Sequence, residues 1–122
     1  MRIGDRAEVE RTYLTSDAAA LAELAGPAAA SVEHVPEPLL AALFSYLLGV
    51  RLPGPGTNYL KQEMTFLADA RRGVPLTASV EVTRLRPDKG LVDLATLCVQ
   101  GGAVVCRGRA LVLTSVGRIS EA

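Results

Sequence analysis

The spacing of apolar and polar positions changes character twice along this chain. Arg6 to Tyr13 alternates loosely around Val9 and Tyr13 and predicts a first strand. Ser16 or Asp17 offers a cap for a short helix through Ala18-Ala19-Ala20-Leu21-Ala22-Glu23-Leu24, and Gly26-Pro27 ends it. Ala28 to Pro36 has no period and predicts a loop. Glu37-Pro38 then opens the run Leu39-Leu40-Ala41-Ala42-Leu43-Phe44-Ser45-Tyr46-Leu47-Leu48, with Gly49 as its expected end. Proline suits the first helical turn, and the Glu37 carboxylate complements the positive end of a helix. The run is apolar nearly all round, so most of its surface needs a cover.

Arg51-Leu52-Pro53-Gly54-Pro55-Gly56 is dense in turn residues, and the period switches to that of strands after it. Thr57–Leu67 is one expected strand. Leu76–Leu85 is the next, with Ala78, Val80 and Val82 on one face and Ser79, Glu81 and Thr83 on the other. Pro87-Asp88-Lys89-Gly90 and Gly101-Gly102 are tight turns that separate Leu91–Val99 and Ala103–Leu113. Tight turns make these last three strands antiparallel neighbours. From Ser115 onward the chain is expected to fray. The pattern implies an α+β hotdog fold, an antiparallel sheet of about five strands wrapped around one long central helix.

Composition narrows the function classes. A chain of 122 residues fits a single domain, residues 1–122, and 49% hydrophobic residues argues against disorder. The net charge is zero and no basic stripe exists, so nucleic acid is not an expected partner. The longest apolar run, Leu39 to Val50, is broken by Ser45 and Gly49 and is too short to span a bilayer. The first residues, Met1-Arg2-Ile3-Gly4-Asp5-Arg6, hold no apolar secretion signal, so the expected location is the cytoplasm. Cys98 and Cys106 flank the Gly101-Gly102 turn. A two-residue hairpin sets Cys98 opposite Val105 and Leu97 opposite Cys106, so the two are expected to be diagonal, buried, free thiols.

Leu40-Ala41-Ala42-Leu43-Phe44-Ser45-Tyr46-Leu47-Leu48-Gly49, then Leu52-Pro53-Gly54-Pro55-Gly56-Thr57 and Tyr59-Leu60, closely resembles the MaoC-like (R)-specific enoyl-CoA hydratases. Val80-Glu81-Val82, Lys89, Thr96 and Gln100-Gly101-Gly102 continue the match. The resemblance implies a hotdog homodimer that acts on acyl thioesters at the dimer interface as a hydratase/dehydratase-like lyase, with no cofactor. It also implies substrate-binding roles. Ser45 matches a serine near the catalytic centre, and Leu48 a leucine lining the acyl pocket. Gly54 and Gly56, with Tyr59 after them, belong to the turn expected to shape the pocket mouth.

Two parts of the family's machinery have no counterpart here. The family uses an Asp and a His in a D-x-N-P-x-H loop to activate water and deliver a proton. Ala25-Gly26-Pro27-Ala28-Ala29-Ala30 stands in its place, and no Asp lies between Asp17 and Asp69. The family's A-H-G-M run at the start of the central helix is matched by Val35-Pro36-Glu37-Pro38. Prolines remove N–H donors there, and a carboxylate opposes the oxyanion that a glycine N–H would stabilise.

The residues closest to that gap are His34, the only histidine, and Glu37, which with Glu33 form Glu-His-x-x-Glu. One reading makes Glu37 and His34 a substitute catalytic pair. The other makes them solvated loop residues, with Glu37 serving only the helix start. One histidine and two glutamates in a loop do not amount to a zinc set, and no metal is expected. Ser45 either orients a ligand or bonds its own helix backbone. Tyr46 is expected in the core. Arg71-Arg72 either meets a phosphate of the substrate or is simply solvated. The function so bounded is binding of, or action on, an acyl thioester or a related enoyl or polyketide-like ligand. The alternatives are a non-catalytic binding or partner subunit, and a thioesterase that uses Glu37.

Overall fold

The computed structural model describes residues 1–14, 16–17, 34–115 and 119. The expected short helix after Asp17, its Gly26-Pro27 end and Glu33 lie outside the described residues. Strand β1 spans Arg6–Arg11, helix α1 Glu37–Tyr46, and strands β2 to β5 span Asn58–Phe66, Leu76–Arg86, Leu91–Gln100 and Ala103–Leu113. The sheet is antiparallel with the order β1-β3-β4-β5-β2. Hairpin turns place β3, β4 and β5 side by side, as their short connections require. Among the described residues β1 and β2 form the two edges, each with one strand neighbour.

Leu40, Leu43, Phe44, Leu47 and Leu48 are all at most 3% exposed, which is one stripe of a helix spaced by three and four residues. They pack in one core with Ala78, Val80 and Val82 of β3, Val92, Leu94 and Cys98 of β4, and Cys106, Ala110 and Val112 of β5. The other side of α1 is open in the single chain: Ala42, Ser45 and Tyr46 are exposed. Tyr46 is therefore a surface residue and not part of the core, because it follows the buried stripe out of register on the helix. The sheet covers only one side of the apolar helix.

Three local expectations are corrected. Gly49 does not end the helix; a wider π turn, Leu47–Arg51, follows α1, with the Leu52 N–H donating to the Leu47 carbonyl at 2.7 Å. The cysteines are directly opposed, not diagonal, because a bulge leaves Val105 unpaired and pairs Cys98 with Cys106 and Val99 with Val104. Both thiols are free and buried. Finally, Ile119, in the segment expected to fray, is 2% exposed and joins the core. Among the described residues no helix is long and apolar enough to cross a membrane.

Candidate functional site

The π turn and the proline-glycine segment after it bring the chain from α1 back to β2. The Leu52–Pro53 peptide is cis, and Gly54 and Gly56 take φ values of 97 and 89, where a side chain is strained. The Gly54 N–H donates to the Leu48 carbonyl at 3.0 Å, and the Thr57 N–H to the Gly54 carbonyl at 3.2 Å. This return delivers Tyr59 to the open flank of α1. Its hydroxyl donates to Ser45 Oγ at 3.4 Å. Burial pushes the Tyr59 phenol up from its ordinary value, with the Ser45 contact acting in the opposite direction. Five expected binding residues thus gather at one end of α1. Leu48 and Gly54 are buried while Ser45, Gly56 and Tyr59 are exposed, and Leu48 packs in the core.

His34 and Glu37 lie at the other end. Eight residues of helix separate Glu37 from Ser45, about 12 Å at the rise of an α-helix. His34 forms an antiparallel bridge with Arg71, and the Val35 N–H donates to the Ala70 carbonyl at 2.7 Å. Gln100 locks the same segment. Its Oε1 accepts from the Arg71 N–H at 2.8 Å, and its Nε2 donates to the Arg71 and Val74 carbonyls at 2.9 and 3.0 Å. The result sets His34 Nε2 3.8 Å from Asp69 Oδ2. Glu37 is exposed and lines a recess of about 320 Å³ with Phe66, Leu67, Ala68 and Asp69. Asp69 is the residue that sequence reasoning missed, and only the tertiary bridge to Arg71 brings it to His34. The Arg71 side chain is exposed, while its backbone does the anchoring. Pro36 precedes α1, which has no side-chain cap.

Burial raises the Cys98 thiol to about 11, with Cys106 adding to the effect. It also raises Cys106, and the nearby Glu37 charge contributes. Neither thiol is suited to nucleophilic work in this state. Among the described residues no three His, Cys, Asp or Glu side chains group to hold a metal ion.

No protein-family model matches the chain. A relative does: the (R)-specific enoyl-CoA hydratase of Aeromonas caviae is 37% identical over 126 residues, covering 92% of this chain and 94% of the relative. The chain belongs to the (R)-specific enoyl-CoA hydratase family. The solved structure of the A. caviae hydratase, described as involved in PHA biosynthesis, superposes with a TM-score of 0.86 at 35% identity, over 93% of this chain and 97% of that one. An unliganded R-hydratase from Pseudomonas aeruginosa gives a TM-score of 0.84 at 27% identity, over 94% and 83%. The hotdog fold expected from the strand pattern is therefore the fold of this family member.

Proposed function

We propose that this protein binds an acyl thioester, of the enoyl-CoA class on which its relatives are named, and that it hydrates short enoyl-CoA slowly. The carrying observation is the Tyr59–Ser45 contact, which links the helix and the edge strand beside the turn of Gly54 and Gly56. Slow hydration rests on the sequence. The sole histidine, His34, sits beside Asp69 at the far end of α1, and prolines flank Glu37 at the helix start. The A. caviae alignment extends over 126 positions against the 122 residues of this chain, so that relative carries residues missing here.

The acting form is a homodimer in the cytoplasm. Its support is the outer edge of β2, which pairs with no other strand among the described residues, together with the exposed Tyr46, Val50, Leu60 and Leu67. Light scattering at micromolar concentration is expected to give twice the chain mass; a monomer would sink the dimer.

Calorimetric titration with butyryl-CoA is expected to show saturable binding. Crotonyl-CoA turnover is expected at least about a hundredfold below that of a hydratase with a positioned acid and base. Absence of binding at millimolar ligand ends the reading, and turnover on the order of ten per second ends its second half.

A second reading, thioester hydrolysis, is favoured by the recess that Glu37 shares with Asp69. There the Glu37 carboxylate takes a proton from water as the water oxygen attacks the thioester carbonyl, and the CoA thiolate expelled when the C–S bond breaks takes that proton from Glu37 to leave as the thiol. Thiol release from butyryl-CoA measures it, and Glu37→Gln is expected to abolish it with folding intact. Release that survives Glu37→Gln removes Glu37 from the chemistry.

A further inference from the structure

Strand β2 contains a bulge whose effect reaches the binding end of the fold. Tyr59 pairs with Val112 and Lys61 with Leu111, so Leu60 is the extra residue. The insertion shifts the alternation by one. Gln62, three residues after Tyr59, then pairs with Ala110 and comes to the same face as Tyr59, the face turned toward α1. Without the bulge, Gln62 would pair with Arg109 and face outward, with Lys61 taking its place opposite Ala110.

The neighbouring positions across from β2 on that face are apolar. The residues opposite Tyr59, Gln62 and Phe66 are Val112, Ala110 and Cys106, each at most 1% exposed. Gln62 puts a primary amide among them, and its Nε2 is buried with no hydrogen-bond partner. A buried donor left unpaired costs stability, and native proteins tolerate one where something outside the chain supplies the acceptor. Lys61 and Glu63, the neighbours of Gln62, are tied to each other at 3.2 Å on the solvent side, so neither serves it. The residue opposite is alanine, whose side chain offers the amide no acceptor.

We infer that the Gln62 amide is the donor that receives the carbonyl oxygen of the bound acyl thioester. The inference rests on the acyl-thioester reading above and deepens it. Gln62 Nε2 donates to the C1 oxygen while the Tyr59–Ser45 pair stands beside it on the same face. Gln62 so distinguishes a thioester from ligands of the same length that lack the carbonyl. The bulge at Leu60 is the device that aims it.

The test compares butyryl-CoA with S-butyl-CoA, the thioether in which a methylene replaces the carbonyl, by calorimetric titration. The wild-type protein is expected to bind the thioester about three- to tenfold more tightly than the thioether, the range of one neutral hydrogen bond. Gln62→Leu is expected to bind both ligands with the thioether's affinity. Without ligand it is expected to melt at the same or a higher temperature, since an unpaired buried donor is gone. Gln62→Met serves as the second variant if Leu does not fold. Several outcomes overturn the inference: a variant that keeps the discrimination, a wild-type protein that binds both ligands equally, a ligand-free variant that melts several degrees lower, a change of oligomeric state, or failure of both variants to fold. A wild-type protein that binds neither ligand overturns the acyl-thioester reading along with it, which separates the two failures.

Discussion

Gly108→Ala isolates the packing that holds β2 in place. Gly108 pairs with Thr96 on β4 and Met64 on β2. A Cβ built at Gly108 runs into the Glu63 carbonyl, and its next neighbours are also backbone atoms of Glu63 and Met64. No rotamer change relieves such a clash, so β2 must move away from β5. Overpacking of a core typically costs about 1–3 kcal/mol, and a backbone obstacle belongs at the upper end. Against this stands the gain of about 0.5–1 kcal/mol from replacing a strand glycine with alanine. The net expectation is a loss of about 2 kcal/mol. For a chain of this size that lowers Tm by roughly 8 °C. Thermal and urea unfolding followed by circular dichroism measure it, and hydrogen exchange should locate the loosened amides on β2. Because β2 carries Tyr59, butyryl-CoA affinity should fall in parallel. A variant as stable as the wild type, with β2 amides equally protected, would refute the claim that the β2–β5 approach requires glycine.

Tyr59→Phe removes the hydroxyl contact to Ser45 and should change stability by less than about 1 kcal/mol, while weakening butyryl-CoA binding severalfold; unaltered affinity by titration would remove Tyr59 from the site. The Cys98 thiol has a folded value of about 11 against an ordinary 9.0. Its contribution to stability is intact below pH 9 and lost as pH rises from there through about 11, because the unfolded thiol ionises first. Urea midpoints across that interval should fall for the wild type and fall less for Cys98→Ala, and identical slopes would contradict the assignment. Disulfide-reagent labelling at pH 8 should be slow until the protein is unfolded.

The strands and the central helix were legible because each has a period that survives without tertiary knowledge. Ala78, Val80 and Val82 alternate as a half-buried strand must, while the central helix reads as apolar nearly all round and only the structure picks out the stripe of Leu40, Leu43, Phe44, Leu47 and Leu48 that is buried. Tight turns fix the neighbours of β4, and the run from Leu40 to Leu60 carries the family resemblance in the sequence itself. The proline-glycine turn likewise announced itself, since Gly54 and Gly56 stand where positive φ is needed.

Other features belong to the tertiary structure because they depend on where distant segments meet. The bulges at Leu60 and Val105 each add one residue to one strand, and no local pattern marks them. Yet one turns Gln62 to the inner face and the other sets Cys98 opposite Cys106. The neighbour of β2 was also open, since a strand after a loop can join either edge; the fold places it beside β5. The bridge between His34 and Arg71 brings Asp69 to the histidine across a separation that spacing cannot read. Period is a local property of the chain, whereas register and proximity are set by packing the whole sheet against one helix, and the details of the candidate site lie in the latter.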